Sequence, residues 1–240
     1  MMSMRLPRSI PRSIKIPFQE KPNVLTDVSL LHSREPGIDQ FHKIVANHRP
    51  HKIELGNESL YDYAIQYFEK RRQDPPLLIV HSPKNPTMYP LISYRTSISP
   101  LYQTITEKMT VKEIHQKLEE APRLAYKKLY VTCLTECPVT GPIDVAETLH
   151  EVCRYFHRYD LDEISLCDTC GTLTYENFRY LVSSLLFFGV PTSRVGFQLR
   201  KTADFPYMRR YAREHGWLNW DVVDTPVYRQ GSQISYEDIE

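Results

Sequence analysis

Glycine is scarce in this chain, eight residues in 240, and no GxGxxG or Walker-type loop can be assembled from them. That excludes the usual phosphate cradle, in which glycine lets backbone N–H groups close on a nucleotide. Long apolar runs are missing as well; none approaches the roughly 20 residues needed to span a bilayer. Nor is there an excess of either charge, with 30 Lys and Arg against 29 Asp and Glu for a net charge of +1. Nothing global pulls the chain toward nucleic acid or an anionic membrane. The five cysteines are an odd number with no hydrophobic signal region ahead of them. A secreted disulfide scaffold is not expected; reduced thiols in an intracellular, cytoplasmic protein are.

Acids are absent from the first 18 residues, MMSMRLPRSIPRSIKIPF, which carry Arg5, Arg8, Arg12 and Lys15. Mitochondrial transit peptides share that composition, but Pro7, Pro11 and Pro17 would interrupt the amphipathic helix they need. Residues 1–23 read as a basic N-terminal arm, with a mitochondrial address as the alternative. The arm is the only nucleic-acid signal in the chain.

What is present is an alternation of short apolar runs with helical periodicity, the pattern of β/α units. Strands are expected over 24–33, 51–57, 75–83, 90–97, 128–136, 163–168, 194–200 and 220–225. Helices are expected over 37–48, about 58–72, 110–121, 144–157, 174–189 and 207–216. Thr110 three residues ahead of Glu113 has capping-box spacing, and Asp144 is placed as an N-cap. Eight strands with six clear helices predict an α/β fold, a short (β/α)8 TIM barrel with an abbreviated third helix and no clear eighth helix. A doubly wound open sheet is the runner-up. The barrel is assigned to residues 24–226 and a C-terminal tail to 227–240.

The run YVTCLTECPVTGPIDVAETLHEVCRYFHRYDLDEISLCDTCGTLT (130–174) resembles the hydroxymethylglutaryl-CoA lyase family of metal-dependent TIM-barrel lyases and synthases. In that family the fifth strand and loop read like YVSC-x-x-GCP-x-x-G, and the sixth strand like EISL-x-DT-x-G. Fainter likeness extends along most of the chain, with KIELGN (52–57) falling on the second strand. The resemblance implies a retro-Claisen cleavage of a 3-hydroxyacyl thioester. There a divalent metal polarises the substrate, a base takes the hydroxyl proton and an Arg steadies the enolate-like oxygen.

The resemblance also marks what has changed. The family's Arg-Asp pair of the first strand falls on Leu31 and His32, and its metal-binding His-x-His on Phe197 and Leu199, with Arg200 following. After VVDT no GGCP loop, Cys or Asn occurs. Glu54 and Asp168 alone survive from the polar set. Several convergent hard or borderline ligands are needed for a divalent ion, so no metal or other cofactor is expected. The alternative is a divalent metal such as Mg or Mn in a rebuilt site.

The remaining candidates are weighed on chemistry. Cys133, Cys137, Cys167 and Cys170 form C-x3-C and C-x2-C pairs, for which a structural Zn site is conceivable. Buried, inert thiols are the preferred reading, and if Asp168 points into the barrel, Cys167 should point toward the helices. A redox dithiol is disfavoured because such motifs open helices. His32, His81, Glu54 and Asp168 fall near strand C-terminal ends, where barrels keep their sites; a remnant held by hydrogen bonds is favoured over a new cluster. His150 and His157, two turns apart on one helix, are ordinary helix residues. The expected function is that of a divergent, lyase-like barrel without metal-dependent carbon–carbon lyase activity, acting as a binding or assembly protein. A protein partner or a homo-oligomer is expected. The second reading is an active carbon–carbon lyase or aldolase-like enzyme on an acyl-CoA or oxo-acid, with Asp168, Glu54 and His32 in the catalytic roles.

Overall fold

The computed structural model of the protein describes residues 22–32, 37–224 and 233–239, with the side chain of His32 outside that set. Most of the N-terminal arm and the first half of the C-terminal tail lie outside the described residues. Eight strands carry the fold: β1 (Val24–Asp27), β2 (Lys52–Leu55), β3 (Leu77–His81), β4 (Leu91–Ser97), β5 (Tyr126–Thr132), β6 (Glu163–Cys167), β7 (Val195–Gln198) and β8 (Asn219–Val222). Each pairs in parallel with its neighbours, and β1 pairs with both β2 and β8, so the sheet closes into a barrel. This is the expected α/β barrel; closure leaves no open edge and rules out the doubly wound sheet.

The helices follow their sequence signals. α1 (Ile38–Asn47) and α2 (Glu58–Arg71) follow the first two strands. The third helix is indeed abbreviated, a single 3-10 turn at Pro86–Met88. α3 (Pro100–Glu107) follows β4 and was not expected. It has no apolar stripe to announce it: Leu101 and Ile105 face solvent, and its one buried residue is Gln103. Pro100 at its first turn, with the Ser99 side chain accepting from the Tyr102 N–H, starts it instead. α4 (Val111–Glu120) carries the complete Thr110–Glu113 capping box. α5 (Val145–Tyr159) is capped by Asp144 as expected and α6 (Tyr175–Phe187) by Thr174. α7 (Phe205–Glu214) precedes β8.

Residues 233–239 return to the barrel and end in a short helix, α8 (Tyr236–Ile239), with Ile234, Tyr236 and Ile239 buried. The Tyr236 hydroxyl donates to Asp27 of β1 at 2.7 Å, and the His48 ring stacks on Tyr236 at 3.8 Å. None of the described helices is long and apolar enough to cross a membrane.

The apolar core lies between barrel and helices. Ile53 and Leu55 of β2 pack with Phe41, Ile44, Leu60, Ala64 and Phe68 of the first two helices. On the other side Ile92, Leu129, Ile164, Leu166, Val195 and Phe197 join the helices α4 to α7. Alternation along each strand then sends the intervening residues into the lumen, and these are largely polar.

Candidate functional site

Lys52 of β2 pairs with Glu163 of β6, four places away around the ring, and Lys128 of β5 pairs with Asp221 of β8 at 2.5 Å. Residues so placed can meet only across the lumen. Lys128 also lies 2.8 Å from the other Glu163 oxygen, while Tyr126 donates to Glu163 at 2.6 Å and Ser165 donates to Asp221. The floor of the barrel is thus a closed, buried network of two cations and two carboxylates. Burial works to raise the Glu163 pKa, but Lys128 and Lys52 outweigh it and hold the carboxyl well below its ordinary range. Burial likewise disfavours the Lys128 cation, and its carboxylate neighbours overcome that and hold it firmly protonated. A lysine so engaged is no nucleophile at neutral pH.

Glu54 lies in the same lumen with no solvent exposure. It accepts from Ser93 and, at 3.0 Å, from the Tyr130 hydroxyl. The His81 ring, bonded to Ser93 Oγ at 2.8 Å, stands 3.6 Å from it. Every oxygen of Glu54 is therefore spoken for within the protein.

Asp168 lies elsewhere, one residue past the end of β6. Its Oδ1 accepts the backbone N–H of Gly171 at 2.9 Å and of Thr172 at 3.2 Å. Gly171 sits at φ 75°, the left-handed region, so the DT-x-G frame builds a tight turn that the Asp side chain closes. Burial raises the Asp168 pKa, against those backbone donors and the field of Arg200. Cys167 points into the lumen, where it packs with Val28, Tyr130 and Val223, and not toward the helices as the sequence suggested; Asp168, past the strand end, lines the mouth beside it. Burial pushes the Cys167 thiol up to about 12, so it is neutral. The backbone of His32 closes the 3-10 turn Ser29–His32 after β1. Glu54 and Asp168 are not brought together in one cluster.

Strand alternation also corrects the placement of the His-x-His equivalents. Phe197 contacts Phe178, Trp217 and Trp220, between barrel and helices, and Leu199 belongs to the same cluster. The residues of this strand end that face the mouth are Gln198 and Arg200. They line a cavity of about 90 Å³ with Arg95, Tyr102, Thr132, Cys167, Asp168, Thr169 and Gln233. Arg95 and Gln198 are the functional candidates that sequence reasoning missed. The alternation Ser93-Arg95-Ser97 in β4 is the signal the sequence offers for this face.

The donor chemistry does not suit a divalent metal. Two guanidiniums, two neutral amides and a single carboxylate line the mouth, and no three His, Cys, Asp or Glu side chains converge as ligands among the described residues. The cysteines are dispersed in role. Cys137 Sγ accepts from the Val139 and Thr140 N–H groups at 3.3 Å, and Cys170 contacts the Glu136 carbonyl at 3.5 Å.

No protein-family model matches the chain, and no curated protein matches it in sequence. Solved structures match it in shape. The hydroxymethylglutaryl-CoA lyase from Pseudomonas aeruginosa has a TM-score of 0.69 at 17% identity, over 91% of this chain and 84% of that one. The HMG-CoA lyase from Brucella melitensis has a TM-score of 0.67 at 15% identity, over 91% and 89%. The carboxyl transferase domain from Rhizobium etli pyruvate carboxylase has a TM-score of 0.58 at 16% identity, over 92% of this chain and 43% of that one. At such identities the likeness is one of fold: an HMG-CoA-lyase-like TIM barrel.

Proposed function

We propose that this chain is a divergent HMG-CoA-lyase-like barrel without metal-dependent carbon–carbon lyase activity, and that it works as a binding or assembly protein. The observation that carries this reading is the lining of the barrel mouth. Arg95, Gln198 and Arg200 stand at the C-terminal strand ends, where barrel enzymes hold their chemistry. A dication there would meet two guanidiniums; one such charge repels a unit charge by about 3 kcal/mol at ~5 Å and an effective dielectric of ~20, and for Arg95 the Glu107 carboxylate at 3.4 Å offsets part of this. Asp168 offers one carboxylate, and its Oδ1 is committed to the following turn.

The second reading is a carbon–carbon lyase or aldolase-like enzyme on an acyl-CoA or oxo-acid. The contact of Glu54 and Ser93 with His81 favours it as an acid–base group. Glu54 and Ser93 are fully buried, however, and the mouth cavity does not reach them. Metal analysis of the purified protein, together with an acyl-CoA cleavage assay in added Mg or Mn, separates the two. The proposal expects no stoichiometric metal and no turnover. Bound metal with turnover abolished by Asp168→Asn would sink it.

A further inference from the structure

Two hydrogen-bond donors at the barrel mouth have no partner among the described residues. They are Nε of Arg95 and Nε2 of Gln198, both buried, and both residues line the same cavity. Gln198 is only 6% exposed, so its amide has little access to bulk water. An unmade hydrogen bond of a buried group costs about 1–3 kcal/mol, and of the buried atoms left without a partner these two donors belong to residues that line one cavity, which calls for an explanation. The Arg95 guanidinium is held from behind: Nη1 lies 3.4 Å from Glu107, and the group sits 5.8 Å from the centre of the Tyr130 ring. Arg200 closes the opposite wall with Nε donating to the Thr169 carbonyl at 2.9 Å. The lining therefore carries two anchored guanidiniums against one carboxylate, Asp168, whose Oδ1 the Gly171 and Thr172 N–H groups occupy.

We propose that this cavity is an oxyanion-binding site, in which Arg95 and Gln198 donate to the oxygens of a small carboxylate or phosphate and Arg200 supplies the second positive wall. Planar, forked donors match the geometry of such groups, and the neutral Cys167 thiol at the floor does not repel them. About 90 Å³ accommodates a group of that size, and an acyl-CoA is far too large to be enclosed in it. The inference rests on reading the mouth as a binding pocket rather than a metal centre.

The test is a titration of the full chain in chelator at constant ionic strength, by calorimetry and thermal shift, with acetate, inorganic phosphate and neutral acetamide. Saturable heat and a raised melting midpoint are expected with acetate or phosphate, and neither with acetamide. Comparing the two anions tells an organic carboxylate from free phosphate as the natural source. Gln198→Glu, which keeps the shape but replaces the donor with a charge, and Arg95→Lys, which removes Nε, should each weaken binding at least tenfold. Equal responses to acetate and acetamide in the unaltered protein would overturn the proposal, whatever the variants do. So would tight binding retained in both variants. Metal-dependent acyl-CoA cleavage in the same preparation would instead defeat the reading of the mouth as metal-free, and would leave the anion titration to be judged separately.

Discussion

Gly196 of β7 faces the Glu163 carboxylate so closely that an added Cβ would lie 2.9 Å from Oε1. That oxygen has little room to retreat, because Lys52 and Lys128 hold the carboxylate from two sides. Gly196→Ala should therefore cost about 1–3 kcal/mol, the usual penalty of overpacking, read as a lower urea midpoint with an unchanged slope. An unaltered midpoint would mean the network has slack. Asp168 makes the opposite case, a residue the sequence pointed to for chemistry. The EISL-x-DT-x-G frame was legible as a motif because the turn it encodes is strict: an acceptor at Asp168 and a left-handed glycine three residues on. Its role in the turn requires only an oxygen. Asp168→Asn should stay within about 0.5 kcal/mol of the parent in denaturation, whereas Asp168→Ala should lose about 1–2 kcal/mol, as expected for a capping acceptor.

Among the elements, the helices with an apolar stripe and a capping residue were readable, and α3, which has a cap but no stripe, was not. All eight strands are legible in the sequence, but the faces of β6 and β7 are reversed: Cys167, Gln198 and Arg200 face the lumen and mouth, and Phe197 and Leu199 face the helices. The strands are recognised by apolar residues that turn out to face the helices, while the lumen side reads Lys52-Glu54, Ser93-Arg95-Ser97, Glu163-Ser165-Cys167 and Gly196-Gln198-Arg200. A polar lumen breaks the expectation that barrel interiors are filled by branched apolar side chains, so the period-2 signal was present and assigned to the wrong side. Phe197 and Gln198 test the corrected assignment. Phe197→Ala should remove contacts with Phe178, Trp217 and Trp220 and cost about 3–5 kcal/mol, with a change in tryptophan fluorescence. Gln198→Leu, on the lumen side, should leave both stability and fluorescence close to the parent. Equal effects at the two positions would contradict the alternation.

At the scale of the whole barrel, the lumen network makes stability a function of pH, and its sign can be worked out. The Glu163 carboxyl is held below its ordinary pKa; burial opposes this, and the two lysines prevail. In the unfolded chain the same group titrates near ~4.3. A carboxyl with a depressed folded pKa adds stability that is fully present above the unfolded value and is lost as the pH falls through the folded one. Lys128, with its pKa raised, adds stability that disappears only in strong alkali. Removing one member of such a buried pair leaves the other unpaired, at about 3–5 kcal/mol. Glu163→Gln should therefore be destabilised by about that amount at pH 7. The gap from the parent should narrow steadily below about pH 4, because acid protonates Glu163 in the parent as well. Salt should have little effect on the gap, since the pair is out of reach of screening ions. Denaturation curves of both proteins from pH 7 to pH 2.5 measure this directly. A gap that stayed constant across that range would mean Glu163 titrates alike in the folded and unfolded chain, and a gap that widened in acid would mean it keeps its proton in the folded barrel; either would contradict a lumen held by charge.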